Sequence, residues 1–170
     1  MADTINVGVA ELKASNNSDI LASFGLGSCV AVAMFDPIRK VGGLAHVMLP
    51  ESRNREPVRT PGKFADTAVP GLVARLVELG AKPKSLRCKL VGGAQMFEIP
   101  GSRNKDAGLA CGPSAHIGAR NVEAVKAALE ELKVPVVGEE TGGNHGRTVK
   151  FDTCTGEMII TSIHYGRSAI

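Results

Sequence analysis

The sequence has no tryptophan, one tyrosine and five phenylalanines, so aromatics make up only 4% of its 170 residues. A core built from it must rest on Val, Leu, Ile, Ala and Met. Charge of one sign is equally scarce: 20 Lys and Arg stand against 17 Asp and Glu, a net charge of +3. With no basic stripe interleaved with aromatics, this balance argues against a nucleic-acid partner. No apolar run reaches the roughly 20 residues that a spanning helix needs. Met1 to Asn6 also lacks a basic region followed by a long apolar stretch. A cytoplasmic protein without signal peptide or membrane insertion is therefore expected. The four cysteines, Cys29, Cys88, Cys111 and Cys154, are widely spaced, with no C-x-x-C and no paired His/Cys spacing. That argues against a structural zinc site and, in a reducing compartment, for free thiols.

What is present is ordinary for a globular chain: 44% apolar and 22% charged residues, in a length suited to one domain over residues 1–170 with a real core. The twenty glycines indicate many tight turns. The most informative stretch runs from Ser23 to Pro50. Cys29 closes the glycine-rich turn Gly25-Leu26-Gly27-Ser28 and opens an apolar run, Val30 to Phe35. His46 sits in the next apolar run, Val41 to Leu49, and Asp36-Pro37 between the runs is a turn signal. Two neighbouring strands result, and sequential strands usually lie side by side, which lets the thiol and the imidazole meet. Near-continuous apolar character predicts that both strands are buried on both faces. A thiol beside an imidazole is the minimum for an activated sulfur nucleophile, since the adjacent base generates the reactive thiolate near neutral pH. Gly25 and Gly27 can take positive φ. Such a turn can aim the Ser28 and Cys29 N–H groups into one concavity where an oxyanion would sit. Against this stands the plainer reading that a buried cysteine and a strand histidine merely pack.

Elsewhere, Thr4 to Leu12 reads as a first strand, Ala14 to Asp19 as a turn and Ile20 to Phe24 as a short extended stretch. Pro50 to Gly62 is a polar, proline-bearing loop with Arg53, Arg55 and Arg59. It is a solvated connection or, because it follows the histidine strand directly, a rim of the site. Helices are predicted over Phe64 to Leu79, with Pro70 inside and Gly80 as its cap, and over Ile117 to Leu132. On the second, Val122, Val125, Ala128, Leu129 and Leu132 form the apolar face. Leu86 to Val91 and Val134 to Glu139 are strands, Pro100 to Cys111 a loop, and Thr148 to Thr153 with Met158 to Ile163 a β-hairpin. Gly142-Gly143-Asn144-His145-Gly146-Arg147 lacks Gly-Lys-Ser/Thr and a following helix, so it reads as a turn rather than a phosphate cradle. His145 is expected to be exposed within it, His116 to help cap the second helix, and His164 to lie in a C-terminal tail. Two helices and about eight or nine strands give an α/β fold with mixed sheets packed in layers.

Several of these segments together resemble the CheD chemoreceptor glutamine deamidases. They are Gly25-Leu26-Gly27-Ser28-Cys29-Val30, Asp36-Pro37 and Gly42-Gly43-Leu44-Ala45-His46-Val47-Met48-Leu49-Pro50. Lys63-Phe64-Ala65-Asp66, Gly92-Gly93-Ala94-Gln95-Met96-Phe97, Ile117-Gly118-Ala119-Arg120-Asn121 and the Gly142 to Arg147 turn continue the series in order. The resemblance implies a layered β-sandwich with flanking helices, related to bacterial toxin deamidases. It implies Cys29 as nucleophile and His46 as base. The family's third site residue is a threonine six residues before the cysteine, where this chain has Ser23. Phe64, Asp66 and Arg120 become candidate supports of the site or of a partner surface, beside Arg53, Arg55 and Arg59. The implied reaction turns receptor glutamine into glutamate without a cofactor. Its partners would be methyl-accepting chemotaxis receptors and a CheC-type phosphatase that covers the site. Two alternatives are a binding module that regulates receptors without turnover and a thiol hydrolase acting on small molecules.

Overall fold

The computed structural model describes residues 2–52, 59–96 and 116–170. Among these residues ten strands are seen: β1 (Thr4–Asn6), β2 (Leu12–Ser15), β3 (Ile20–Leu26), β4 (Val30–Asp36), β5 (Val41–Val47), β6 (Arg87–Gly92), β7 (Val136–Thr141), β8 (Arg147–Asp152), β9 (Met158–Ser162) and β10 (Gly166–Ala169). Two helices accompany them, α1 (Ala65–Glu78) and α2 (Ile117–Glu131). One sheet has the order β1-β3-β8-β9-β10 and the other β2-β5-β4-β6-β7. Both are mixed: β1 runs parallel to β3 and β6 parallel to β7, and every other pairing is antiparallel. Among the described residues no helix is long and apolar enough to cross a membrane.

The apolar runs explain the layering. Every residue of β4 and β5 is buried, as their composition predicts. Val30, Val32 and Met34 of β4 join a core with Leu72 and Leu76 of α1 and Val125 and Leu129 of α2. The alternate residues Ala31, Ala33 and Phe35 join a second core with Leu21, Val149, Phe151 and Ile160 of the other sheet. The central sheet thus has helices on one face and a sheet on the other. Asp36 fixes the turn between β4 and β5: its carboxylate accepts hydrogen bonds from the Ile38, Arg39 and Lys82 N–H groups at 2.9–3.1 Å. Both helices end in the same way. The Gly80 and Ala81 N–H groups bond back to Val77 and Leu76, and those of Lys133 and Val134 to Glu130 and Leu129, each pair a Schellman closure. Gly80 supplies the positive φ of the first and Lys133, at 56°, that of the second.

Four expectations are corrected. The segment Thr4 to Leu12 is not one strand: it holds β1 in one sheet and the start of β2 in the other, with Val7 to Glu11 crossing between them. That crossing is pinned by Val7 N–H to Ala22 O (2.7 Å), Ala10 N–H to His46 O (3.0 Å) and His46 N–H to Glu11 O (2.9 Å). The turn expected from Ala14 begins only after Ser15, because Leu12 to Ser15 pair with Gly42 to Ala45. The C-terminal tail forms β10 against β9. On α2 the buried residues are Gly118, Asn121, Val125 and Leu129, while Leu132 is exposed. The loop expected over Pro100 to Cys111 lies outside the described residues.

Candidate active site

The glycine turn that leads into Cys29 forms where the chain passes from one sheet to the other. Pairing of β3 with β8 is regular from Ile20 to Ser23 and slips between Ser23 and Leu26. There Gly25 takes a φ of +65°, which a residue with a side chain rarely adopts. Gly27 does not have positive φ, but a β-carbon there would stand 3.1 Å from the Met96 Cγ. After Gly27, Ser28 and Cys29 the chain enters β4, where Ala31 lies opposite His46. Side chains alternate along a strand, so Cys29 shares the face of Ala31 and stands one diagonal step from His46. That face looks between the sheets, and Cys29 packs against the edge of the inter-sheet core. Ser23 looks into the same space from β3, fully buried and paired with Val149 of that core.

His46 is 1% exposed. Its Nδ1 faces the Val7 carbonyl at 3.4 Å. A carbonyl only accepts, so this long contact favours the tautomer with the proton on Nδ1 and the lone pair on Nε2. Nε2 is buried and has no hydrogen-bond partner among the described residues. Burial pushes the His46 pKa down, with the Val7 carbonyl opposing in part. Burial likewise pushes the Cys29 thiol up. Both shifts favour a neutral thiol and a neutral imidazole over a preformed thiolate. Ser23 Oγ donates its hydrogen bond to the Val7 carbonyl at 2.8 Å and not to the ring.

The carbonyls of Gly27, Ser28 and Cys29 are each held from outside. Ala94 N–H bonds the Gly27 carbonyl and Gly93 N–H the Cys29 carbonyl, both at 2.8 Å. Asn121 Nδ2 bonds the Ser28 carbonyl at 2.9 Å. The backbone at Gly92 passes so close that a β-carbon there would come within 2.3 Å of the Cys29 oxygen. Among the described residues, neither the Ser28 nor the Cys29 N–H makes a backbone hydrogen bond in the turn. These are the donors that the oxyanion expectation requires.

The outer candidates divide. Asp66 accepts hydrogen bonds from Ser52 N–H and Oγ at 3.1–3.2 Å, tying the chain just after β5 to the first turn of α1. Phe64 bridges to Leu49, and Lys63 Nζ lies 5.4 Å from its ring centre. Both residues fasten the ends of the arginine loop. Arg59 is exposed, and Arg53 and Arg55 lie outside the described residues. The Gly142 to Arg147 segment is a packed turn: Gln95 N–H reaches the Gly143 carbonyl at 2.8 Å, and Arg147 pairs with Glu140 at 3.1 Å and donates to the Gly142 carbonyl. His145 is not exposed as expected but half-buried, in tilted contact with Tyr165, ring centres 4.4 Å apart. His116 precedes α2 in a left-handed conformation without making a side-chain cap. Among the described residues no three His, Cys, Asp or Glu side chains gather to hold a metal ion.

Two participants escaped the sequence reading. The Val7 carbonyl is backbone and carries no signal in residue type. Asn121 had one: it is the polar member of a helix stripe that also buries Gly118, Val125 and Leu129.

Comparison with known proteins sets this architecture in a class. Residues 48–162 match the family model described as CheD chemotactic sensory transduction. A protein of Desulfitobacterium hafniense named "Probable chemoreceptor glutamine deamidase CheD" is 42% identical over 170 residues, covering all of both chains. One of the same name from Clostridium botulinum is 42% identical over 166 residues, covering 98% of this chain and 97% of its own. The chain belongs to the CheD family. Among solved structures, YlmD from Geobacillus stearothermophilus is similar over 78% of this chain and 50% of its own, at 14% identity and a TM-score of 0.43, too slight to carry an argument.

Proposed function

We propose that this chain is a protein-glutamine deamidase that converts chemoreceptor glutamines to glutamate, with Cys29 as nucleophile and His46 as its base. The observation that carries the reading is the setting of His46: buried, tethered through Nδ1, with Nε2 unpartnered one diagonal step from Cys29. The substrate class comes from the names of the relatives. His46 Nε2 takes the proton from the Cys29 thiol as sulfur attacks the carboxamide carbon. The C–S bond forms and the carbonyl oxygen becomes an oxyanion, received by the Ser28 and Cys29 N–H groups. His46 returns the proton to nitrogen, the C–N bond breaks and ammonia leaves. Water, deprotonated by His46, then hydrolyses the thioester to glutamate and free Cys29. A neutral resting pair suits this sequence, because the base is unprotonated when substrate arrives.

Exposed Phe24, Met48 and Met96 lie on the segments that converge on the turn, and an apolar rim of this kind favours a protein surface over free glutamine. Receptor helices in the cytoplasm are the expected location of the chemistry. The layered sandwich, with both helices against one sheet, also fits kinship with bacterial toxin deamidases. The same rim supports a second reading, a module that binds receptors and a CheC-type phosphatase without turnover. Mass spectrometry of receptor cytoplasmic domains incubated with wild-type protein and with Cys29→Ala separates the two. The deamidase reading expects a gain of about 1 Da at specific glutamines with wild type alone. Absence of that gain, or its persistence in Cys29→Ala, overturns the reading.

A further inference from the structure

Asn121 is fully buried on α2, remote in sequence from everything it touches. Its Nδ2 donates to two backbone carbonyls, Ser28 and Met48, both at 2.9 Å. Reversing the amide would set Oδ1 against two carbonyl oxygens, so the contacts fix its orientation. Oδ1 itself is buried without a hydrogen-bond partner among the described residues, an arrangement that costs stability wherever it persists. The two Nδ2 bonds join the nucleophile turn to the residue that follows the histidine strand.

The geometry of the peptide unit gives the first bond its consequence. In a trans peptide the C=O of one residue and the N–H of the next point in opposite directions. Holding the Ser28 carbonyl toward Asn121 therefore turns the Cys29 N–H away from α2. The Gly27 carbonyl, held by Ala94 N–H, turns the Ser28 N–H in the same manner. The first turn of α2 is itself pressed onto the supporting strand end: a β-carbon at Gly118 would lie 2.5 Å from the Ala94 oxygen and 2.6 Å from that of Gly93. Helix, strand end and turn are thus one fitted unit, and Asn121 is its side-chain link.

We propose that Asn121 is a positioning residue of the oxyanion turn: by holding the Ser28 carbonyl it orients the Cys29 N–H toward the developing charge, and by holding Met48 it keeps that donor in register with His46. The proposal rests on Cys29 being the nucleophile but not on the identity of the substrate, so its test uses two small probes. p-Nitrophenyl acetate acylates a thiol through a tetrahedral oxyanion: sulfur bonds to the ester carbon and p-nitrophenolate leaves. Iodoacetamide alkylates by direct displacement of iodide and forms no oxyanion. Both products are read at the Cys29 peptide by mass spectrometry. Loss of an oriented oxyanion donor typically costs about 10²-fold, so Asn121→Ala is expected to slow acylation by about that factor and alkylation by less than about threefold. Equal slowing of both reactions, or of neither, overturns the proposal. Acylation that misses Cys29 in wild type overturns the nucleophile assignment, and this proposal with it.

Asn121→Asp gives a second readout that keeps the side-chain volume. Protonated, the new carboxyl still donates to one carbonyl; ionised, it repels both. The ratio of acylation to alkylation, in which thiolate concentration cancels, is expected to fall with rising pH in this variant and to stay level in wild type. A level ratio in the variant overturns the proposal even if Asn121→Ala fails to fold.

Discussion

Ser23 and His46 converge on one acceptor, the Val7 carbonyl, which receives the serine hydroxyl at 2.8 Å and faces the imidazole Nδ1 at 3.4 Å. The two side chains come from different sheets, and the carbonyl belongs to the segment that crosses between the sheets. We expect Ser23 to act on the histidine through this shared partner. In that reading it holds the oxygen, and the oxygen holds the tautomer and ring angle. Ser23→Ala leaves the Val7 carbonyl with the long imidazole contact alone. A lost buried hydrogen bond is worth about 1 kcal/mol, so turnover on a receptor fragment should fall by roughly five- to tenfold in a protein that still folds. Ser23→Thr keeps the hydroxyl and should retain most activity. Equal turnover in wild type and Ser23→Ala would leave a Cys-His dyad held by backbone.

Cys29→Ala and His46→Gln should each remove deamidation while the circular dichroism spectrum stays native. A general base contributes about 10²- to 10⁴-fold, and the loss of the nucleophile should exceed that. Burial holds the Cys29 thiol up, so its reaction with iodoacetamide near neutral pH should depend on His46 and slow in His46→Gln. Fully buried Cys88, whose thiol burial holds up much further, should label more slowly than Cys29 in the native protein. Labelling of Cys29 that ignores His46 would remove the base from the mechanism.

The depressed pKa of His46 also makes a stability prediction with a definite sign. The folded protein resists protonating a histidine that the unfolded chain protonates near its ordinary value of 6.5. Stability is thus complete above that value and declines as pH falls toward the lowered folded-state pKa. His145 is shifted down too, chiefly by burial, so wild type alone does not isolate the effect. The drop in melting temperature from pH 7.5 to pH 5 should be smaller in His46→Gln than in wild type. An equal drop would mean that His46 is not held neutral.

The parts of this site legible in the sequence were those written in residue type along a strand. Continuous apolar runs around an Asp-Pro turn specified two fully buried antiparallel strands, and that pairing sets Ala31 opposite His46 and Cys29 one diagonal step away. Gly25 declared the left-handed turn before the cysteine. The backbone carried what was not legible. Val7 contributes a carbonyl, and its burial in the inter-sheet core breaks Thr4 to Leu12 into two strands of different sheets. Asn121 binds carbonyls 93 and 73 residues away in sequence, a relationship no local pattern encodes. β10 is short, fully exposed and lacks alternation, so it reads as a tail until its partner β9 is seen.

Lys133 closes α2 with a φ of 56°, a conformation costing a residue with a β-carbon roughly 1 kcal/mol relative to glycine. Its N–H still completes the helix closure on Glu130 at 3.0 Å, and its side chain is exposed. Lys133→Gly should therefore raise the melting temperature by about 2–4 °C for a chain of this size and leave turnover unchanged. A lower melting temperature would show that the unfolded chain's gain in freedom outweighs the strain relieved.

The arginine loop follows β5, the strand that carries His46. Met48 follows the histidine strand, and its carbonyl shares Asn121 with the Ser28 carbonyl. Beyond it, the Met48 and Leu49 N–H groups both bond the Lys63 carbonyl at 2.9–3.0 Å, and Lys63 N–H bonds Thr60 at 3.1 Å. With Ser52 held by Asp66, both ends of the loop are anchored beside the turn. Arg59 is exposed, and we expect it, with its loop neighbours in sequence Arg53 and Arg55, to help dock a protein that delivers a glutamine side chain to Cys29. Reversing all three to glutamate should raise the KM for a receptor cytoplasmic domain several-fold, with kcat and the iodoacetamide rate at Cys29 preserved. Exposed charges are screened over about 8 Å at physiological salt, so the gap between variant and wild type should narrow as salt is raised. A KM that is unchanged by the reversal, or a gap that ignores salt, would make the loop a connection only.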